Sequence, residues 1–84
     1  MVYEVRFTKE AKKDIAKLSP KLRQKLKTII QDTISISPYD GKRLIGDLTG
    51  FYSIRLSYQD RVIYTIDDEL SVIFIHRAKT HYGD

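Results

Sequence analysis

The sequence predicts an α+β domain in the order β-α-α-β-β-β, with a helical hairpin packed on one face of a mainly antiparallel four-stranded sheet. Three observations carry this. Apolar residues alternate in Val2–Phe7 and again in three runs after Gly50. Between Ala11 and Thr33 they recur instead at helical spacing. Ser19-Pro20 interrupts that helical stretch once, which makes two helices of it. With 84 residues and no repeat, linker or low-complexity tract, the chain reads as a single domain over residues 1–84.

The elements follow in order. In VYEVRF, Tyr3, Val5 and Phe7 share one side and Val2, Glu4 and Arg6 the other, the pattern of a half-buried strand. Thr8 is placed to cap a helix whose first turn holds Glu10 and whose buried positions are Ala11, Ile15 and Leu18. Pro20 suits the first position of the second helix, whose stripe of Leu22, Leu26, Ile29, Ile30 and Thr33 carries it to about Ser35. So short a break makes the two helices an antiparallel hairpin. Ser37–Arg43 is a loop by its Pro, Asp and Gly, and Leu44–Thr49 is irregular. Three strands then form a meander, Phe51–Ser57, Arg61–Ile66 and Leu70–Arg77. The helices cover one face of the sheet and leave the other open.

The formal charge of +4 favours an anionic partner such as nucleic acid or an acidic protein, although a merely soluble basic protein has the same balance. No cysteine is present, which fits a reducing, cytoplasmic setting. No stretch approaches the roughly 18–20 apolar residues of a membrane span, and the N-terminus lacks the apolar segment of a signal peptide.

Core matching fixes the register of the first hairpin. A three-residue loop, Ser57–Gln59, pairs Ile54 with Val62 and Tyr52 with Tyr64, and so sets Arg55 opposite Arg61 on the open face. Like charges so placed cost up to ~1 kcal/mol. Either the two side chains splay into water, or they form a clamp for a phosphate. The last strand returns beside Arg61, so the ending HRAKTHYGD brings Arg77, Lys79, His81 and Tyr82 toward the pair. An imidazole near two arginines has its pKa lowered, which suits a base; a frayed terminus is the plainer reading. His76 reads as structural, and Asp67, Asp68 and Glu69 as a solvated turn. Neither histidine has the partners of a metal site, and no cofactor motif is present. The lysines from Lys9 to Lys27 form either a soluble face or a skirt for an RNA backbone. Phe51 is the one aromatic obviously placed to stack on a base from the open face.

The string LIGDLTGFYSIRLSYQDRVIYTI, with the acidic turn and apolar strand that follow, resembles the RelE/ParE superfamily of toxin–antitoxin toxins over nearly the whole chain. The ending THYGD is most similar to the YoeB-like branch, whose chains close on a His-Tyr pair. The resemblance implies a RelE-like fold and a ribosome-dependent, metal-independent mRNA endoribonuclease acting in the A site. There the 2′-hydroxyl of one nucleotide attacks the adjacent phosphate. It places Arg61 and Arg55 on that phosphate, makes His81 an acid or base, and makes Tyr82 a stacking group; Lys42, Arg43, Phe51, Arg77 and Lys79 would touch RNA. It also implies an acidic antitoxin, with which the toxin forms a higher-order complex. The YoeB-like pattern has a glutamate as base in the loop where this chain reads GKRLIGD, so His81 is the first candidate for the base and Lys42 the second. ParE-like members, which inhibit DNA gyrase without cleaving RNA, are the alternative.

Overall fold

A computed structural model describes residues 2–80. Strand β1 (Glu4–Phe7) leads into helix α1 (Lys9–Lys17) and helix α2 (Pro20–Ile29), which continues as a π-helical turn over Ile30–Ile34. After a 3-10 turn at Pro38–Asp40 come β2 (Lys42–Arg43), a second 3-10 turn at Gly46–Leu48, β3 (Phe51–Arg55), β4 (Asp60–Asp67) and β5 (Val72–Thr80). The five strands form one sheet in the order β1-β5-β4-β3-β2. β1 runs parallel to β5, and the other neighbours are antiparallel. Among the described residues no helix is long and apolar enough to cross a membrane.

The helix starts are those expected. The Thr8 hydroxyl accepts the N–H of Ala11 at 3.2 Å and that of Ser19 accepts Leu22 N–H at 3.2 Å, each satisfying an otherwise orphaned donor of the first turn. Ala11 and Leu26 from the helices meet Val62, Tyr64, Ile73, Ile75 and Ala78 from the sheet in one core. Leu56 and Ile34 complete it, both with no exposed surface. Ile34 takes the place expected of Thr33. The π turn, in which Ser35 N–H donates to Ile30 C=O at 2.9 Å, winds wider than an α-helix and brings residue 34 rather than 33 beneath Ile30.

The sheet has five strands rather than the expected four. The extra strand is the pair Lys42–Arg43, hydrogen-bonded beside β3 with Lys42 opposite Ser53 and Arg43 opposite Tyr52. Two charged residues carry no alternation to mark a strand, and a short charged edge is how sheets discourage further pairing. The face away from the helices is less open than expected: Ile63 is 1% exposed and Ser53 4%, although both point there. In register, Ser53 is opposite Lys42 and Ile63 opposite Arg77, so both the small and the apolar position lie within one cross-strand row.

The acidic turn after β4 is not simply solvated. Asp68 accepts hydrogen bonds from Tyr3 Oη at 2.8 Å and from Tyr39 Oη. The two phenols hold its carboxyl below the usual range, and the carboxylate pushes the Tyr39 phenol up to about 12. One turn thus ties the entry to β1 to the 3-10 turn before β2. Tyr39 stands edge-on to Tyr52 at 5.7 Å, and Tyr52 stacks on Tyr64 at 5.7 Å. Tyr64 is fully buried and donates its hydroxyl proton to Pro38 C=O at 2.5 Å.

Candidate functional site

The site begins at the β3–β4 hairpin. Leu56 N–H donates to Asp60 C=O at 2.8 Å, closing a loop over residues 57–59. Ser57 Oγ donates to Asp60 Oδ2 at 2.8 Å and accepts the N–H groups of Gln59 and Asp60. The Asp60 carboxylate, beside Arg61 in sequence, is therefore engaged within the loop. This closure places Ile54 opposite Val62 and Arg55 opposite Arg61, the register read from the core pattern.

The cation row extends one strand further, since Arg61 is also opposite Lys79 of β5. Arg55, Arg61 and Lys79 thus lie side by side across three strands, Arg55 exposed and the other two half-buried. A second row, Lys42–Ser53–Ile63–Arg77, lies next to it on the same face. Opposed like charges are unfavourable, and three in register are retained only because core matching holds the strands. The arrangement concentrates guanidinium and ammonium donors where an oxyanion would be stabilised. The Ser53 hydroxyl, in the second row, is buried and has no hydrogen-bond partner among the described residues.

Lys79 reaches this row because β5 carries a bulge. Ile73, Ile75 and Ala78 all belong to the core, so two residues, His76 and Arg77, separate the last two core positions. The ladder shifts register there, between Ile63 and Tyr64 of β4. Unbroken alternation would have turned residue 79 toward the helices. The bulged edge is held from α1: Asp14 Oδ2 accepts Ala78 N–H at 3.1 Å and Arg77 Nε at 2.8 Å, while Oδ1 accepts Arg77 Nη2 at 3.1 Å. Asp14 is 8% exposed. Burial alone would raise its pKa, but the Arg77 fork, the Ala78 N–H and the charge of Lys79 outweigh it, and the carboxyl lies below its ordinary value. The cleft beside it, about 390 Å³, is also lined by Lys17 and Asp60. Sequence reading passed over Asp14 because one acid among helix lysines carries no mark of its distant partners.

A stability consequence follows from the sign of that shift. A carboxyl with a depressed folded-state pKa contributes stability that is complete above its unfolded pKa, near 4, and is lost as pH falls through the folded value. Asp14→Asn should therefore lower the melting temperature at pH 6, and the gap to wild type should close as the pH is taken from 5 to 2. A constant gap across that range would show that the Asp14 charge contributes nothing.

The remaining expected site residues are placed as follows. Arg43 is exposed on β2, opposite Tyr52 and so on the helix side of the sheet edge, away from the two rows. Phe51 is half-buried, its ring 5.1 Å from that of His76 and inclined at 61°. His76 Nε2 shares a hydrogen bond with Thr65 Oγ1 at 2.9 Å, and burial lowers its pKa. That is the structural role expected of it. Arg77 is committed to Asp14 rather than projecting freely. His81 and Tyr82 lie outside the described residues.

A two-helix layer on a sheet of this order is an arrangement that known proteins share. The family model described as the ParE toxin of the type II toxin–antitoxin system, parDE, matches residues 5–81. The chain is 36% identical over 79 residues to toxin RelG of Mycobacterium tuberculosis, spanning 93% of this chain and 90% of that one. The toxin–antitoxin complex RelBE2 of the same organism contains a chain that superposes with a TM-score of 0.87 at 33% identity, over 96% of this chain and 100% of that one. The YoeB–YefM complex of Staphylococcus aureus gives 0.78 at 26% identity, over 98% and 100%. The chain belongs to the RelE/ParE superfamily of toxins from type II toxin–antitoxin modules.

Proposed function

We propose that this toxin is a ribosome-dependent mRNA endoribonuclease that cuts the message in the A site and so arrests translation. The observation that carries the proposal is Arg61 flanked in register by Arg55 and Lys79. In the cleavage, the 2′-oxygen bonds to phosphorus, the bond from phosphorus to the 5′-oxygen breaks, and a cyclic phosphate remains. Negative charge builds on the non-bridging oxygens as this happens, and fixed guanidinium donors stabilise it. Arg61 and Arg55 take that role, with Lys79 and Lys42 beside them. The 2′-hydroxyl must lose a proton and the 5′-oxygen must gain one. His81 serves as acid or base, with Lys42 the second candidate for the base, and Tyr82 stacks on a nucleotide. Arg43, Phe51 and Arg77 contribute RNA contacts at the margin. The partner is an acidic antitoxin bound over the basic face in a higher-order complex; the toxin–antitoxin complexes among the structural relatives support that pairing.

A second reading, a non-enzymatic inhibitor of DNA gyrase, is favoured by the name of the matching family model. One experiment separates the two. The protein is added to programmed ribosomes and, in parallel, to gyrase with relaxed plasmid. Cleavage within the A-site codon with unchanged supercoiling is expected. Intact message with blocked supercoiling would establish the gyrase reading instead.

A further inference from the structure

We propose that Asp14, on the helical layer, is a positioning residue for the cleavage site. It acts through β5, and the proposal rests on the endoribonuclease reading above. β1 ends at Phe7, opposite Ile75, so among the described residues no strand lies beside the edge of β5 beyond it. Thr8 covers the first part, donating its N–H to Ile75 C=O at 3.0 Å and its hydroxyl to His76 C=O at 3.2 Å. Asp14, farther along α1, accepts Ala78 N–H as a paired strand would. The same carboxylate grips the Arg77 guanidinium by two bonds, at 2.8 and 3.1 Å.

The location matters more than the number of bonds. Arg77 is part of the bulge, and the bulge decides which way the following residues face. A bulge at the edge of a sheet can relax, either by slipping a residue or by fraying from its end. Slipping would turn Lys79 toward the helices and Ala78 away from the core. Asp14 blocks both routes by fixing the N–H of residue 78 and the side chain of residue 77 to one rigid helix. The ordering of Lys79 beside Arg61 thus depends on a carboxylate on the opposite side of the sheet edge. The charges facing this carboxylate are Arg77 and Lys79 from β5 and Lys17 from its own helix, with Asp60 of β4 in the same cleft.

The test compares Asp14→Asn, which keeps the shape and loses the charge, with a core control. The control is Ile34→Val or Ile34→Ala, whichever matches its melting temperature, since Ile34 is in the core and not on β5. Single-turnover cleavage on programmed ribosomes at saturating toxin should fall about ten- to a hundredfold for Asp14→Asn, the scale of a group misplaced by about an ångström. Affinity for the ribosome should change less than about threefold, and the control should cut at the wild-type rate. In a second arm, amide resonances are followed as a short single-stranded RNA, 2′-deoxy at one position, is titrated in. Wild type should respond at Arg55, Arg61 and Lys79, and Asp14→Asn at Arg55 but not at Lys79. Full-rate cleavage by Asp14→Asn, or equal slowing of the control, would overturn the proposal. If wild type leaves the message intact, the endoribonuclease reading falls; the RNA arm still reads Asp14, and an unchanged Lys79 response there would overturn its positioning role as well.

Discussion

Arg61→Ala should lower single-turnover cleavage on ribosomes by ~10²–10³, the usual loss when one preorganised donor to a developing oxyanion is removed. The fall should appear at saturating toxin, because the charge being stabilised grows during reaction rather than on binding. The fold should persist. Arg61 is on the face away from the helices, and its strand is held by Val62 and Tyr64 in the core. Melting should be unchanged or slightly raised, since Arg61 is opposite both Arg55 and Lys79 and its loss relieves two like-charge oppositions. Arg61→Lys keeps the charge but loses the planar fork, and should recover only part of the rate. An Arg61→Ala protein that melts normally and cuts at the wild-type rate would remove the phosphate from this position.

The largest stability effect is expected at Tyr64. Tyr64→Ala removes a fully buried ring, its stacking on Tyr52 and its bond to Pro38 C=O, and should cost about 3–5 kcal/mol. Its environment pushes the phenol up to about 12, mainly by burial, so it stays neutral and the loss should not vary between pH 6 and 9. The hydroxyl fits only because residue 41 is glycine. A Cβ there would overlap the Tyr64 oxygen and lie 3.1 Å from Cζ and 3.2 Å from Ile54 Cγ1. Gly41→Ala should therefore cost about 1–3 kcal/mol by overpacking. Tyr64→Phe should cost about 1–3 kcal/mol by stranding the Pro38 carbonyl. The double variant should cost less than the sum, because removing the oxygen relieves the overlap. Urea denaturation of wild type and the three variants gives the coupling, and strict additivity would show that glycine is not required by the tyrosine.

Why the hairpin register was legible, and the bulge was not, has a physical basis. Ile54, Leu56, Val62 and Tyr64 must face the core together, and a three-residue loop leaves them one way to do so. Arg55 opposite Arg61 followed from that. HRAKT has no such pattern: after Ile75 the next core residue is Ala78, too small to announce a face, and the strand continues through polar residues to Thr80. The reach of β5 toward Arg61 was expected, but the device that turns Lys79 to that face was not. The π turn was hidden for a related reason, since Thr33 and Ile34 both suit a helical stripe and the choice rests on winding. Lys42 was singled out by the family resemblance of its loop, and its place beside Ser53 came from a strand too short to read. Asp14 and Asp68 were missed because their partners, Arg77 and two tyrosines, are distant in sequence.

The parallel pairing of β1 with β5 has a consequence for the birth of the molecule. Glu4 is opposite Val72 and Phe7 opposite Ile75, so β1 must wait for β5, made more than sixty residues later. A sheet closed by such distant contacts forms slowly, because loop closure precedes its reward. A nascent chain still inside the machine that makes it lacks β5, and with it Lys79 and the neighbour that completes the row around Arg61. The row around Arg61 is thus completed only once all of β5 has been made and has left that machine.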